Sequence, residues 1–250
     1  MQKDNWMSPP DALNLEPHQV DIWRVTLDPQ PDPVKLTGST LSADETERAD
    51  RFHFDSDRHR FVIAHIALRD ILSRYLHCQP GELTFSVNQY GKPSLNNHKL
   101  EFNLSHSGDF VLIAVTQERK VGVDVEHIRT DTRLESIANR YFSASEVSEL
   151  MALTPEQRIS GFFNCWTRKE AYIKAHGLGL SLPLESFDVS LTPNEPAILR
   201  ATRPDTQEAA RWTLLALDIA PEYASAVAVE GKDMEFRMWE WSLKIRFITH

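Results

Sequence analysis

The order in which helical and extended patterns follow one another is the feature of this chain that most limits its fold. An extended pattern over residues 20–27 precedes two helical patterns, and the longer helix follows Asp57 with apolar residues spaced three and four apart. Strand patterns come next, as far as Val125. Helices followed by strands occur a second time from Ser143 onward. This repetition predicts an α+β protein built from two similar α+β halves.

Local signals place the ends of several predicted elements. Ser42 and Glu45 form a capping-box pattern that begins the first helix, and Gly177 is placed to end the last one. Further helices are predicted over residues 143–150 and 158–175, and further strands over residues 83–87, 102–104, 110–116, 121–125, 187–191, 212–219 and 223–229. We expect a loose N-terminal arm over residues 1–19, an N-terminal half over residues 20–125 and a C-terminal half over residues 126–250.

The C-terminal stretch over residues 234–247 carries no chemical motif. Its aromatic and aliphatic residues alternate with charged and polar ones from Trp239 to Phe247. The alternation predicts an additional half-buried strand, and an exposed aromatic docking strip is the alternative.

The charge balance and the cysteine spacing exclude several classes of function. The 250 residues include 27 Lys and Arg against 36 Asp and Glu, a formal net charge of −9. The chain therefore lacks the basic face that duplex nucleic acid requires. No apolar run approaches a membrane span, no signal-peptide pattern occurs, and Cys78 and Cys165 do not have zinc-site spacing. We expect a soluble, cytoplasmic protein that binds neither nucleic acid nor membrane.

The segment from Val121 to Glu126 is the first candidate for chemistry. Strand side chains alternate between faces, so Gly122, Asp124 and Glu126 share the face opposite to the valines. Two carboxylates beside a glycine suit a hard divalent cation such as Mg²⁺, which completes its shell with water and substrate phosphates. The alternative is an acidic strand edge that faces solvent.

Glu170 is the second candidate, because it interrupts the apolar stripe of its helix. It lies between Trp166 and Ile173 at spacings of four and three residues. A carboxylate in such a stripe is partly desolvated and requires a cation or a hydrogen-bond donor. Lys174 lies four residues further on, so a simple helix ion pair is the alternative.

A third candidate is the segment from Phe102 to Gly108, read as a short strand that runs into a polar turn. Ser105 or Ser107 with His106 as base would give a serine hydrolase, although no nucleophile-elbow motif is present. A turn that binds phosphate is chemically easier. An ordinary Asn/Ser/Gly turn is the third interpretation.

Basic residues form the fourth group. Arg48, Arg51 and Arg60 alternate with acidic residues along the first two helices, which is typical of a solvated face of mixed charge. Lys92 precedes Pro93 in a Tyr-Gly-Lys-Pro turn that fixes its direction.

These segments, taken in order, resemble the surfactin-synthetase-activating type of 4′-phosphopantetheinyl transferase. The matching motifs are Tyr90-Gly-Lys-Pro93, Phe102-Asn-Leu-Ser-His-Ser-Gly108, Gly122-Val-Asp-Val-Glu126, Arg140-Tyr-Phe-Ser143 with Glu146, Trp166-Thr-Arg-Lys-Glu-Ala171 with Lys174, and the stretch from Gly177 to Leu184. The resemblance covers the chain from about Glu47 to Val229. One departure is Glu45, because relatives often carry a basic residue there.

The resemblance implies an intramolecular pseudo-dimer with coenzyme A in the cleft between its halves. It implies Mg²⁺-dependent transfer of phosphopantetheine to a serine of an apo acyl, peptidyl or aryl carrier protein, with release of 3′,5′-ADP. A monomer is expected, because the two halves already supply the cleft. The roles implied by similarity are Asp124, Glu126 and Glu170 as metal ligands, Glu170 as base, Lys174, His106 and Ser105 at the diphosphate, Lys92 and Pro93 toward the nucleotide, and Arg48, Arg51 and Arg60 at the 3′-phosphate.

Two rival functions remain open from the sequence. One is a Mg²⁺-dependent phosphohydrolase that uses Asp124, Glu126 and Glu170 on small phosphate esters. The other is a non-catalytic module that binds coenzyme A or a carrier protein. Carrier proteins of these types are usually acidic, so the docking surface is expected to be less negative than the rest of the chain.

Overall fold

A computed structural model describes residues 5–27, 40–130 and 133–242 of the chain. Its α-helices are α1 (Ala43–Asp50), α2 (Asp55–Leu76), α3 (Leu134–Tyr141), α4 (Ala144–Ala152) and α5 (Pro155–His176). Its strands are β1 (Gln19–Thr26), β2 (Phe85–Val87), β3 (Pro93–Leu95), β4 (Leu100–Ser107), β5 (Phe110–Gln117), β6 (Val121–His127), β7 (Phe187–Val189), β8 (Leu199–Thr202), β9 (Trp212–Ala216), β10 (Tyr223–Glu230) and β11 (Glu235–Trp241).

The two halves repeat one arrangement of strands. In the first sheet β5 lies between β1 and β4, and in the second β10 lies between β6 and β9, with antiparallel pairing throughout these strands. Each half adds one 22-residue helix, α2 or α5, and one two-stranded ribbon, β2–β3 or β7–β8. The predicted α+β class with two similar halves is therefore confirmed.

Capping residues fix the helix ends as the sequence predicts. Ser42 begins α1 with a complete capping box in which Glu45 takes part. Ser143 and Glu146 form the same arrangement at the start of α4. Helix α5 ends at Gly177, whose φ of 69° is the left-handed conformation that glycine adopts without a steric penalty.

The segment from Ser105 to Ser107 is a strand, so its prediction as a polar turn is wrong. Strand β4 continues through Ser107 and pairs along its length with β5, and the chain turns only at Gly108, where φ is 55°. Asn103 and Ser105 are buried although they are polar, because both make hydrogen bonds to β6. The polar composition of this segment indicated a turn, because its hydrogen-bond partners on β6 lie about twenty positions away and cannot be recognised from the local sequence.

The valines of β6 form the contact between the two sheets. Val121, Val123 and Val125 are buried in one apolar cluster with Ile22 and Leu112 of the first sheet. The alternation predicted for this strand is therefore present. The opposite face of β6, which carries Gly122 and Asp124, lies against α5. A Cβ built on Gly122 would lie 2.1 Å from the carbonyl oxygen of Ala171 and 2.3 Å from the amide nitrogen of Ala175.

The first sheet has a fourth strand that comes from the other end of the sequence. β11 pairs in parallel with β1, with Trp23 opposite Trp239. Both Trp239 and Trp241 are buried, so a strand and not an exposed strip is present here. Residues 243–250, which hold the remainder of the predicted strand, lie outside the described residues.

The described part of the predicted N-terminal arm packs against the core around α2 and bonds to β11 and to Asp218. Leu13 is buried in the apolar core around α2. Trp6 donates from its indole nitrogen to the carbonyl oxygen of Asp218, and Met7 bonds through its backbone to β11. Residues 1–4 lie outside the described part. Among the helices that the structure describes, none is long and apolar enough to cross a bilayer.

Candidate active site

Strands β4 and β6 and helix α5 meet at a cluster of polar side chains. The ammonium of Lys174 lies 2.5 Å from Oδ1 of Asp124 and donates to Oγ of Ser105 at 2.8 Å. The Ser105 hydroxyl in turn donates to Oδ1 of Asp124 at 3.0 Å. Asp124 is only 3% exposed. One residue from each of three elements therefore forms a closed hydrogen-bonded triangle.

Side chains of β4 hold that strand against β6, although the two strands belong to different sheets. Asn103 accepts from the backbone N–H of Val123 at 2.8 Å, and the hydroxyl of Ser107 accepts from the N–H of His127 at 3.0 Å. These two bonds lie on either side of Ser105 and place its hydroxyl opposite Asp124. The polar side chains of Asn103, Ser105 and Ser107 on β4 therefore join the two halves at the site.

Helix α5 is fixed on its other side by a buried ion pair. Lys169 is fully buried, and its ammonium lies 2.8 Å from Glu146 and donates to the carbonyl oxygens of Leu184 and Phe187. Glu146 also accepts from the backbone N–H of Val189. Lys169 therefore supports the helix that carries its neighbour Glu170, and it lies outside the triangle.

The three predicted metal ligands share one electrostatic environment. Burial raises the pKa of Asp124, and the charge of Lys174 opposes that rise. Burial and the charge of Asp124 raise the pKa of Glu126, and burial followed by the charges of Asp124 and Glu126 raises the pKa of Glu170. The single positive charge of Lys174 can neutralise only part of the negative charge of three carboxylates. A further cation would relieve their mutual repulsion.

The residues present fit a hard divalent cation in the chemistry of their donors. All three side chains offer carboxylate oxygens, and Oδ2 of Asp124 is buried without a hydrogen-bond partner. Within the described ranges, no group of three or more His, Cys, Asp or Glu side chains is placed so that it could hold a metal ion. The metal site at Asp124, Glu126 and Glu170 stays a prediction.

His106 lies beside the triangle on β4. The residue is exposed, yet partial desolvation of its imidazole, followed by the charges of Lys174, His65 and Arg60, lowers its pKa. Desolvation is the larger cause, and the named neighbours show that the basic side chains of Lys174 and Arg60 lie on this side of the site. Such a region favours an anionic ligand.

The three predicted arginines lie along α1 and α2 and already contact other side chains. Arg51 forms an ion pair with Glu47, and Arg60 donates to Asp109 at 3.1 Å. The guanidinium of Arg48 lies over the ring of Phe61, 5.2 Å from its centroid. Their predicted contacts to a 3′-phosphate stay predictions.

A cleft of about 480 Å³ opens beside α5 and contains part of the predicted site. Its lining residues are Tyr90, Gly91, Lys92, Pro93, Asn103, Leu104, Tyr141, Trp166, Glu170, Ile173, Lys174, Gly177, Gly179 and Leu180. Glu170 and Lys174 therefore face the same space as Lys92 and Pro93. The ammonium of Lys92 itself donates to the carbonyl oxygens of Val121 and Ala175.

Glu45 organises a second cluster, which the sequence did not predict. Its carboxylate accepts from Arg69 at 2.7 Å, lies 2.9 Å from Nδ1 of His65 and accepts from the backbone N–H of Ser42. Arg69 continues to the carbonyl oxygens of Pro80 and Leu83. The carboxylate of Glu45 therefore fastens α1 to α2. The capping-box motif revealed only its bond to Ser42.

We expect Glu45→Gln to destabilise the protein in a pH-dependent way. Burial raises the pKa of Glu45, but hydrogen bonds from His65, Ser42 and Arg69 outweigh it and lower the pKa from 4.5 to about 2. A lowered folded-state pKa stabilises the protein above the unfolded value, and that contribution is lost as the pH falls toward 2. The free-energy difference between wild type and variant should shrink by about 2 kcal/mol between roughly pH 5 and pH 3. Urea unfolding of both proteins at pH 5 and pH 3 measures this difference. A difference that is the same at both pH values would contradict the lowered pKa of Glu45.

A carboxylate, a lysine and a serine meet where the two similar halves join. The family model described as "4'-phosphopantetheinyl transferase, N-terminal" matches residues 25–118, and that described as "4'-phosphopantetheinyl transferase superfamily" matches residues 120–228. The two matches meet between β5 and β6.

Named relatives agree with the family models. The chain is 39% identical over 245 residues to the 4′-phosphopantetheinyl transferase HetI of Nostoc sp., covering 96% of this chain and 100% of that protein. It is 36% identical over 154 residues to the transferase Sfp of Bacillus subtilis, covering 61% and 67%. It is 40% identical over 127 residues to AcpT of Salmonella typhimurium, covering 50% and 64%.

The chain belongs to the 4′-phosphopantetheinyl transferase superfamily. The resemblance drawn from its motifs is confirmed, and so is the expectation that it is an enzyme of this class. Enzymes of this family transfer phosphopantetheine from coenzyme A to carrier proteins.

Proposed function

We propose that this enzyme transfers the 4′-phosphopantetheine group of coenzyme A to a serine hydroxyl of an apo carrier protein and releases 3′,5′-ADP. In this step the serine oxygen bonds to the phosphorus that carries the pantetheine, and the bond from that phosphorus to the 3′,5′-ADP oxygen breaks. The observation that carries the proposal is the triangle of Ser105, Asp124 and Lys174 beside a cleft that Glu170 also lines.

The chemistry of this transfer asks mainly for alignment of the two oxygens and for neutralisation of charge. Lys174 and His106 supply positive or hydrogen-bonding groups at the place where the diphosphate would lie, and Ser105 offers its hydroxyl there. Ser105 and Lys174 are held against β6 by Asp124, so these two groups need little reorganisation when charge develops.

The proposed metal is Mg²⁺, held by Asp124, Glu126 and Glu170. When bound, it supplies positive charge next to the diphosphate oxygens. The buried, unpartnered Oδ2 of Asp124 and the mutual repulsion of the three carboxylates support this assignment. Lys174 would keep its bond to Ser105 and orient that hydroxyl.

Glu170 is the proposed proton acceptor for the carrier serine. It lines the cleft and is partly exposed, whereas Asp124 is enclosed by protein. A serine hydroxyl that enters the cleft can therefore reach Glu170. General base catalysis of this kind contributes ~10²–10⁴-fold.

The nucleotide part of coenzyme A is proposed to lie along α1, α2 and the turn before β3. Arg48, Arg51 and Arg60 are the proposed contacts of the 3′-phosphate. Lys92 and Pro93 line the cleft in which the nucleotide is proposed to lie. Acyl, peptidyl or aryl carrier proteins are the proposed partners, and we expect the enzyme to act as a monomer.

Incubation of the enzyme with an apo carrier protein, coenzyme A and Mg²⁺ tests the proposal. Mass spectrometry should show the carrier gaining one phosphopantetheine group and should detect 3′,5′-ADP in equal amount. Glu170→Gln should slow the gain by about 10²-fold or more without unfolding the protein. No gain across acyl, peptidyl and aryl carriers would refute the transferase. Phosphate release from small esters without a carrier would favour the phosphohydrolase, and binding of coenzyme A without turnover would favour the non-catalytic module.

A further inference from the structure

The turn from Asn88 to Lys92 is held in one shape by its own hydrogen bonds. Oδ1 of Asn88 accepts from the backbone N–H groups of Tyr90 and Lys92 at 2.9 and 3.0 Å. Asn88 and Lys92 also bond through their backbones, and Gly91 has a φ of 90°. Such a turn presents the side chains of Asn88 and Lys92 in fixed directions.

Both side chains are directed at the C-terminal end of α5. Nδ2 of Asn88 donates to the carbonyl oxygen of Gly177 at 2.8 Å. The ammonium of Lys92 donates to the carbonyl oxygen of Ala175 at 3.0 Å and to that of Val121 on β6 at 3.2 Å. The last carbonyl groups of a helix lack partners within the helix, and a cation there is favourable. We call Asn88 and Lys92 the helix-end clamp.

The side chains of Asn88 and Lys92 also pack tightly against Gly177. A Cβ built on Gly177 would lie 2.9 Å from Cδ of Lys92 and 3.2 Å from Nδ2 of Asn88. The side chain of Lys92 therefore lies directly on the backbone of the helix end. Burial lowers the pKa of Lys92, in agreement with an ammonium enclosed by protein.

The clamp holds the same turn of α5 that carries Lys174, so it can affect the position of that side chain. Lys174 precedes Ala175 directly, and its ammonium must meet both Ser105 and Asp124 within hydrogen-bond distance. A shift of the last turn of α5 would move Lys174 away from both partners. A displacement of about 1 Å can cost about 10²-fold in rate when it misaligns reacting groups.

We propose that Lys92, together with Asn88, is a positioning residue that fixes the end of α5 so that Lys174 and Glu170 keep their places in the site. This inference rests on the proposed function, and it differs from the expectation, implied by the family resemblance, that Lys92 reaches toward the nucleotide. Lys92 acts through α5, since its ammonium is bonded to backbone carbonyl groups of the protein.

Two variants and one rescue test the clamp. Lys92→Met keeps the aliphatic length of the side chain and removes both of its bonds. Asn88→Asp keeps the acceptor inside the turn and replaces the donor to Gly177 by a carboxylate oxygen, which repels the carbonyl oxygen of Gly177. Lys92→Arg restores a cationic donor. The measurements are amide hydrogen exchange of residues 173–177, the kcat and KM for coenzyme A, and the affinity for 3′,5′-ADP by titration calorimetry.

We expect exchange at the end of α5 and kcat to change together in Lys92→Met and Asn88→Asp. Exchange should become about tenfold faster and kcat about tenfold lower, while the Kd for 3′,5′-ADP stays within about twofold of wild type. Lys92→Arg should recover most of both losses. If Lys92 contributed only to global stability, its loss would not lower kcat while leaving the Kd for 3′,5′-ADP unchanged.

The opposite pattern would overturn the inference. If Lys92→Met weakens 3′,5′-ADP binding about tenfold with unchanged exchange and kcat, its ammonium is a direct nucleotide contact. If Lys92→Met does not fold, Asn88→Asp decides, and unchanged exchange and kcat in that variant refute the clamp. Failure of wild type to modify any carrier would refute the proposed function instead, and exchange and 3′,5′-ADP affinity would still decide the clamp.

Discussion

Asp124→Asn should abolish most phosphopantetheine transfer while the protein stays folded. Asparagine keeps the size of the side chain and can still accept from Ser105, but it removes the charge that Lys174 faces and that the proposed metal requires. We expect kcat/KM to fall by about 10²–10³-fold, the loss typical of removing one preorganised electrostatic partner in a site. Carrier mass gain under steady-state conditions and the circular dichroism spectrum measure the two parts of this expectation.

Asp188→Asn is the matched control for that experiment. Asp188 also pairs with a cationic side chain, Arg203, but it lies on β7 away from the triangle. Its variant should keep activity close to wild type. Retention of more than about a tenth of wild-type kcat/KM in Asp124→Asn would remove that carboxylate from the proposed mechanism.

Gly122→Ala should both destabilise the protein and move Lys174 away from its partners in the site. The added methyl group would lie 2.1 Å from the carbonyl oxygen of Ala171, which is backbone and cannot rotate away. Helix α5 must therefore move off β6, and Lys174 moves with it. Overpacking costs typically about 1–3 kcal/mol, and we expect a loss of about 3 kcal/mol in the free energy of unfolding. Urea unfolding measures the loss.

Gly179→Ala separates the steric effect from the general effect of adding a methyl group. A Cβ there would meet only Cβ of Tyr90, at 3.9 Å, and its φ of 53° adds a modest strain. We expect a loss of about 1 kcal/mol. Equal losses in the two variants would mean that contact between β6 and α5 does not limit substitution at Gly122.

The order of long elements could be predicted because their signals are local. The stripe of α2, the capping box of α1 and the alternation in β6 each depend on residues a few positions apart. The elements that the sequence did not predict are α3, β3 and β8. They have eight, three and four residues, too few for a periodic pattern to stand out.

The sequence pointed to residues that the fold brings together, but it did not predict the contacts of the residues around them. Motifs and family resemblance pointed to Ser105, Asp124 and Lys174, and the fold brings these three together. The bonds that Lys92 makes to α5, and those that Glu45 makes to α2, join residues far apart in sequence. The resemblance implied that Lys92 reaches toward the nucleotide, whereas its bond to the carbonyl oxygen of Ala175 could not be predicted, because a partner across the fold leaves no local trace in the sequence.

The parallel pairing of β11 with β1 has a consequence for the order in which the protein can fold. Gln19 begins β1, and Glu235, its neighbour in the sheet, is translated 216 positions later. Until then β1 carries an unpaired edge, and such edges readily pair with other chains. A ribosome-bound N-terminal half therefore cannot finish its sheet by itself, unlike a domain that folds as soon as it emerges. Completion of the first sheet waits for the last described strand of the second half.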